Sequence, residues 1–334
     1  MTMGPGHIRA IFGRRLAAWP LAARLPAACL LVAGLIACSL AGCDGESPPG
    51  QDHGYVERIE SWHAERVANL KRPDGWLSLI GLHRLEVGAR RIGSGSRADI
   101  PLPESAPPEV GMFVVGPDQV TFAAHPRGRA VECLTAEDGT ERTHPVKGLP
   151  VVTDAAGNPT VLGVDSLRFY VIERGRERFV RIKDLAHPRI AEFEGVDRFP
   201  VDERWRIEAR LVEDPERRTI SIPNALGQSE PSPSPGRLVF EVGGTPCTLI
   251  PLGEPGENLF IVFADATTGN ETYQGGRFLS AAAPDSSGIV ILDFNRAINP
   301  PCVFSPYATC PLPPPENRLR VPIAAGEKTW GSGH

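Results

Sequence analysis

The chain of 334 residues lacks the short signatures that announce most enzymes. It has no Gly-x-Ser-x-Gly, no His-Glu-x-x-His and no P-loop. Gly93-x-Gly95 is followed by neither a third glycine nor a helix, so it is not a dinucleotide fingerprint. These absences remove the usual routes to serine-elbow hydrolysis, zinc proteolysis and nucleotide chemistry. No run of basic residues exceeds two, and only four of the 35 basic residues are Lys. Nucleic-acid binders need clustered positive charge, so that partner class is excluded. There is no Cys-x-x-Cys, and no His stands close to the Cys302 and Cys310 pair, which removes the common zinc arrangements. No apolar run reaches the roughly 20 residues of a membrane-spanning helix. No internal repeat is present.

What is present begins with a leader. Arg9, Arg14, Arg15 and Arg24 lie in a segment without acidic residues, and residues 25–40 are almost wholly apolar. That length suits a signal-peptide core. The run ends in Leu40-Ala41-Gly42-Cys43, which resembles the lipobox of bacterial lipoproteins. The resemblance implies cleavage before Cys43, acylation of its thiol and amino group, and a stable anchor, because each buried methylene contributes about 0.8 kcal/mol. Residues 1–42 are then a lipoprotein signal peptide, and a fatty acyl chain such as palmitate on Cys43 holds the protein on a membrane of the cell envelope. Asp44 matches the rule by which some lineages retain lipoproteins at the inner membrane, facing the periplasm. Residues 43–54 carry no apolar periodicity and read as the lipidated Cys plus a flexible tether.

Removing the leader takes away four Arg and no acid, so 31 basic residues face 40 acidic ones, a formal charge of −9. Four cysteines remain beyond Cys43: Cys133, Cys247, Cys302 and Cys310. Outside the cytoplasm disulfides are permitted, and three connectivities are open. The closest pair, Cys302 and Cys310, is the expected disulfide.

One amphipathic helix is expected where Tyr55, Ile59, Trp62, Arg66 and Leu70 recur every three to four residues, stopping at Pro73-Asp74-Gly75. Everything afterwards reads as strands. In residues 204–211, Trp205, Ile207, Ala209 and Leu211 alternate with charged residues, the period of a half-buried strand. Gly243-Gly244 between two apolar runs signals a hairpin. Many short strands without intervening helices predict a mainly β fold, an antiparallel sandwich or barrel behind one N-terminal helix. Residues 229–236 (SEPSPSPG) read as an exposed loop, and a domain seam is expected near 148–165.

Two resemblances add to this. Residues 84–103 (RLEVGARRIGSGSRADIPLP) resemble the opening strands of a forkhead-associated β-sandwich through Gly88, Gly93, Asp99, Ile100 and Leu102. Ser94 stands where that family has its phosphate-binding Arg, no Ser-x-x-His follows, and Asp138-Gly139 is the only stand-in for its Asn-Gly loop. The resemblance therefore implies the fold without phosphothreonine binding. The second resemblance is carried by PDGWL at 73–77, FADATTGNETY at 263–273, GRFL at 276–279, LDFNRA at 292–297, NPPC at 299–302, TCPLP at 309–313 and AGEK at 325–328. Together these are similar to the prokaryotic domain-of-unknown-function family sixteen-eighty-four, which implies a fold but no mechanism. Residues 55–150 are thus expected to form the helix and a degenerate forkhead-associated-like sandwich. Residues 151–334 are expected to form a C-terminal β domain with the candidate site.

That site is drawn from the C-terminal blocks. Asp265, Glu271 and Asp293 are the candidate acid-base groups. Arg277 is a possible anion clamp and Tyr273 a ring wall, with Thr267, Asn295 and Asn299 as further ligand contacts. The same residues have a structural reading. Asp265 and Thr267 can bond the turn backbone, and Asp293 can pair with Arg277 or Arg296. Asp293, Asn295 and Asn299 offer hard oxygen donors, but the spacing is not that of an EF-hand, so neither metal nor cofactor is expected. A Cys302 nucleophile would need a His base, and His187 is remote in sequence. The favoured reading is a lipid-anchored accessory module that binds an unknown small ligand or envelope protein. The alternatives are a hydrolase of an envelope ligand, if the carboxylates converge on one pocket, and a scaffold of an envelope complex.

Overall fold

The computed structural model describes residues 52–137, 140–214, 216 and 219–331. The leader, Cys43, nearly all of the tether, and the Asp138-Gly139 pair lie outside these residues. Helix α1 spans His53–Leu70, capped by the Asp52 carboxylate, which accepts from Gly54 N at 2.9 Å. Its buried face carries Tyr55, Ile59 and Leu70, as the periodicity requires. No described helix is long and apolar enough to cross a membrane.

Eleven strands follow the helix: β1 (Leu79–Leu85), β2 (Gly88–Gly93), β3 (Ile100–Pro101), β4 (Gly111–Val115), β5 (Val120–Ala124), β6 (Glu132–Glu137), β7 (Thr140–Pro145), β8 (Leu149–Val151), β9 (Val161–Val164), β10 (Leu167–Arg174) and β11 (Glu177–Asp184). They form a six-stranded sheet, in order β1-β11-β10-β9-β6-β7, and a five-stranded sheet, in order β3-β2-β4-β5-β8. Pairing is antiparallel except between β2 and β3. Phe113 and Phe122 of one sheet meet Phe169 of the other, with ring centroids 5.0 to 6.2 Å apart, in one sandwich core.

The expected seam at 148–165 is corrected by this pairing. Strands β9 to β11 complete the sheet begun by β1 and β6, so the first sandwich runs on to Asp184. Gly and Pro cluster at 148–160 because strand β8 and the turns around it are short, not because a domain ends there.

A short helix α2 (Pro188–Glu192) leads into the second half. Its strands are β12 (Arg206–Glu213), β13 (Thr219–Pro223), β14 (Ser229–Pro233), β15 (Gly236–Val242), β16 (Thr245–Leu249), β17 (Leu259–Phe263), β18 (Arg277–Ala281) and β19 (Ile289–Asp293). Four of them form a sheet in order β16-β15-β12-β19, while β13-β14 and β17-β18 are two-stranded ribbons. The alternation in β12 places Ile207, Ala209 and Leu211 inward and the charged residues outward. Gly243 and Gly244, with φ of 56° and 78°, turn β15 into β16.

Residues 229–233, expected as loop, are instead strand β14, paired with β13 in the register Ser221↔Pro231. A two-stranded ribbon has free outer edges, where a proline without an N–H is tolerated.

The second half has its own core around Leu238, Leu249, Ile261, Leu279, Leu292 and Phe294. A third cluster joins the halves: Leu70 of α1, Leu77 and Leu79, Phe193, Tyr273 and the loop residues Cys302, Phe304 and Cys310.

Candidate functional site

The fold uses residues 299–312 as a plug between the halves. The prolines fix an extended entry, and Pro301–Val303 forms a single tight turn. Ser305 Oγ donates to Leu79 O at 2.8 Å at the start of β1. Ala225 N donates to Cys310 O at 2.9 Å and Leu312 N to Pro223 O at 2.7 Å, which ties the loop to the end of β13. Thr309 Oγ1 accepts from Arg174 Nε at 3.2 Å and from Arg181 Nη2 at 3.3 Å, both arginines coming from the sandwich. Val180 and Ile182 of β11 point into the sandwich core. Arg181 points the other way, over the Trp76 and Tyr170 rings.

Cys302 and Cys310 are brought together, as their spacing predicts. The disulfide expected between them is not formed: both are free thiols. Cys302 N donates to Cys310 Sγ at 3.1 Å, and Cys302 Sγ lies 3.5 Å from Ala308 O. The Cys310 thiol also hydrogen-bonds the Cys302 sulfur, which draws the Cys302 ionisation below the usual thiol range against the opposing effect of burial. Burial and that same bond hold Cys310 well above it. Both share a cavity of about 220 Å³ with Tyr273, Pro300, Ala308 and Leu312.

The three candidate carboxylates do not converge. Asp265 is buried against Arg277: Nη2 donates to Oδ2 at 2.9 Å, with neither side chain exposed. Asp265 Oδ1 accepts from Thr267 N at 2.8 Å, Thr267 Oγ1 at 2.6 Å and Ile323 N at 3.1 Å. Arg277 donates also to Ile323 O at 2.9 Å and to Ala325 O. This cluster pins the C-terminal segment to the β17-β18 ribbon.

Asp293 pairs with neither Arg277 nor Arg296. Its Oδ1 accepts from Tyr55 Oη at 2.7 Å, and Asn295 Nδ2 donates to the same phenol oxygen at 2.9 Å. Burial and the adjacent carboxylate push the Tyr55 ionisation above its ordinary value. Arg296 instead stacks over Trp62, its guanidinium 4.9 Å from the ring centroid. Glu271 is exposed, and its carbonyl accepts from Thr329 N.

Asn299 belongs to a further buried carboxylate that was not among the candidates, Glu327. Asn299 N donates to Glu327 Oε2 at 2.6 Å, and Arg66 Nε donates to Oε1 at 3.2 Å. Burial raises the Glu327 ionisation above the usual range, opposed by Arg66, by the Asn299 N–H and by Arg277. The signal that could have found this pair was Arg66 itself, a charged residue on the apolar stripe of α1. With Tyr55 on Asp293, Arg66 on Glu327 and Glu60 on Arg198, α1 docks on the second half of the chain. Among the described residues no cluster of three or more His, Cys, Asp or Glu could hold a metal ion.

A large cleft lies elsewhere, on the first sandwich. It measures about 1280 Å³ and is lined by Arg91, Arg97, Arg127, Arg129 and His125, with Glu109 between them. Arg91 pairs with Asp99, Arg97 with Glu109 and Arg129 with Asp165. Arg127 has no ion-pair partner among the described residues. Sequence reading missed this cleft because its arginines come from segments far apart in the chain: Arg91 from β2, Arg97 from the β2–β3 connection, and Arg127 and Arg129 from the β5–β6 connection.

No curated protein matches the chain. A similar solved structure is the solution NMR structure of an uncharacterized protein of Haloarcula marismortui. It is 30% identical over 42% of this chain and 80% of that one, with a TM-score of 0.35. Residues 191–328, which supply Asp265, Arg277, Asp293, both loop cysteines and Glu327, match the family described as "Protein of unknown function (DUF1684)".

Proposed function

We propose that the protein is a lipid-anchored module of the cell envelope that binds an anionic ligand and catalyses no reaction itself. Cys43 carries the anchor, residues 44–51 are the tether that leads into α1, and Asp44 favours the inner membrane facing the periplasm. The first half is a degenerate forkhead-associated-like sandwich. The observation that carries the binding reading is the arginine-lined cleft on a chain that is otherwise acidic. Four arginines against the single lining carboxylate of Glu109 leave an excess of positive charge, and such an excess in a concave site raises the local concentration of a counter-charged ligand. The hydrolase alternative loses support because Asp265 and Asp293 serve separate internal contacts and Glu271 stands apart from both.

The test has two arms. Expressed in a bacterial host with an alkynyl palmitate label, the full chain should take up label and sediment with membranes, and Cys43→Ala should do neither. Unlabelled wild type overturns the anchor. In detergent at low salt, the full chain should bind inorganic tripolyphosphate saturably by calorimetry, and Arg97→Ala with Arg127→Ala should weaken binding. No heat from the wild type, or equal affinity in the variant, overturns the cleft.

A further inference from the structure

The loop that joins the halves holds chemistry that the binding reading leaves unused. We infer that Cys302 and Cys310 are an exchangeable dithiol, in which Cys302 takes up the incoming sulfur and Cys310 resolves it.

The geometry assigns the two roles. Both side chains line one small cavity and the Cys302 backbone N–H donates to the Cys310 sulfur at 3.1 Å, so the pair is held in register before any bond forms. Cys302 is the more accessible of the two, at 9% against 4% exposure, and both line the small cavity beside Tyr273. An incoming disulfide therefore meets Cys302 first. Arg181 Nη2 donates at 3.3 Å to the hydroxyl of Thr309, the residue before Cys310, which sets its guanidinium beside the thiol pair, and its Nε is buried without a hydrogen-bond partner. A fixed cation beside a thiol favours the thiolate, which is the reacting species. Neither remaining cysteine competes: Cys133 is packed in the sandwich core and Cys247 in the core of the second half.

The co-reactant is a disulfide, small or on a partner protein. Cys302 loses its proton, and its sulfur attacks one sulfur of that disulfide. A mixed disulfide forms, the original S–S bond breaks, and one thiolate leaves and takes up a proton. Cys310 then loses its proton and attacks Cys302 Sγ. The mixed bond breaks, the second thiol departs, and Cys302–Cys310 closes. Two electrons pass from the dithiol to the co-reactant, which is released as two thiols. Closure stiffens a loop that is bonded to Leu79, Pro223, Ala225, Arg174 and Arg181, so the oxidation state acts where the two halves meet.

The test uses the full chain in detergent, reduced and then exposed to oxidised glutathione, with acid quenching, alkylation and peptide mapping. The wild type should become two hydrogens lighter, with Cys302–Cys310 as the mapped bond and Cys133 and Cys247 still alkylated. Cys310→Ser should stop at one glutathionyl adduct on Cys302. Cys302→Ser should react about tenfold more slowly or less, because only the recessed thiol remains. Wild type that keeps both thiols, a bond or adduct mapped to Cys133 or Cys247, Cys310→Ser without an adduct, or Cys302→Ser reacting at the wild-type rate would each overturn the assignment. The wild-type arm needs no variant to fold.

Discussion

The Arg277 guanidinium donates to Asp265 Oδ2 at 2.9 Å where no solvent reaches either side chain. An isolated charge there would be costly, and the pair persists because its remaining bonding capacity is largely filled: Asp265 by Thr267 and Ile323, Arg277 by two backbone carbonyls. The residues that looked like a clamp and an acid-base group thus hold the C-terminal segment onto a ribbon.

Breaking that pair from one side should be severe. Arg277→Met leaves a buried carboxylate without its cation, and a loss of about 3–5 kcal/mol is expected. Urea unfolding of the full chain measures it. Adding Asp265→Leu should restore part of the loss, since the unpaired charge is then gone. A single variant as stable as wild type would refute this account.

The helix should respond separately. Tyr55→Phe keeps the ring and removes the hydroxyl shared by Asp293 and Asn295. A cost of about 1–3 kcal/mol is expected, because Asn295 and Asp293 each lose a partner in a part-buried site. Hydrogen exchange should show faster opening of α1 and of residues near 293–296, with β10 and β11 unchanged.

The pH dependence should carry the mark of Glu327. Burial raises its ionisation in the folded chain above the unfolded value of 4.5. Between those two values the folded state holds more protons than the unfolded state, so stability falls as pH rises through that window. The carboxylates of Asp74 and Asp202 are shifted the opposite way, and their contribution is lost as pH falls below about 4. Glu327→Gln should therefore flatten the slope above 4.5 and leave the acid limb alone. Unfolding curves of both proteins across pH 3 to 8 decide it, and an unchanged slope would count against the assignment.

Gly276 and Gly326 should not accept a side chain. Both have φ near +80°, and a Cβ would lie 2.5 Å from Phe263 O in one case and from Ala297 O in the other. Strained backbone and steric overlap together should cost about 2 kcal/mol or more for either Ala substitution. Gly269 has the same hand of φ with open space around it, so Gly269→Ala should cost about 1 kcal/mol. Thermal melting of the three variants should rank them in that way.

Local patterning carried most of the elements. The helix stripe, the alternation in β12 and the Gly243-Gly244 turn are set by neighbours a few residues apart, and the structure places them as read. Strand β14 was hidden because its Ser-Pro composition gives no apolar period, and β9 because four residues are too few to show one. The domain seam was misplaced for a related reason: loop composition marks where the chain turns, not which sheet its next strand joins.

The site divided along the same line. That Cys302 and Cys310 are neighbours follows from their spacing and the prolines between them, a constraint internal to the segment. Which arginine meets which carboxylate does not. Arg277 found Asp265 rather than Asp293, Arg66 crossed 261 positions to Glu327, and Arg181 left its own sheet's core to reach Thr309. The sequence determined by itself the β character, the N-terminal helix and the composition of the loop, because those rest on periodicity and backbone restriction. Only the tertiary structure decided the pairings, because the burial that makes a charge costly, and so selects its partner, exists only once distant segments have packed.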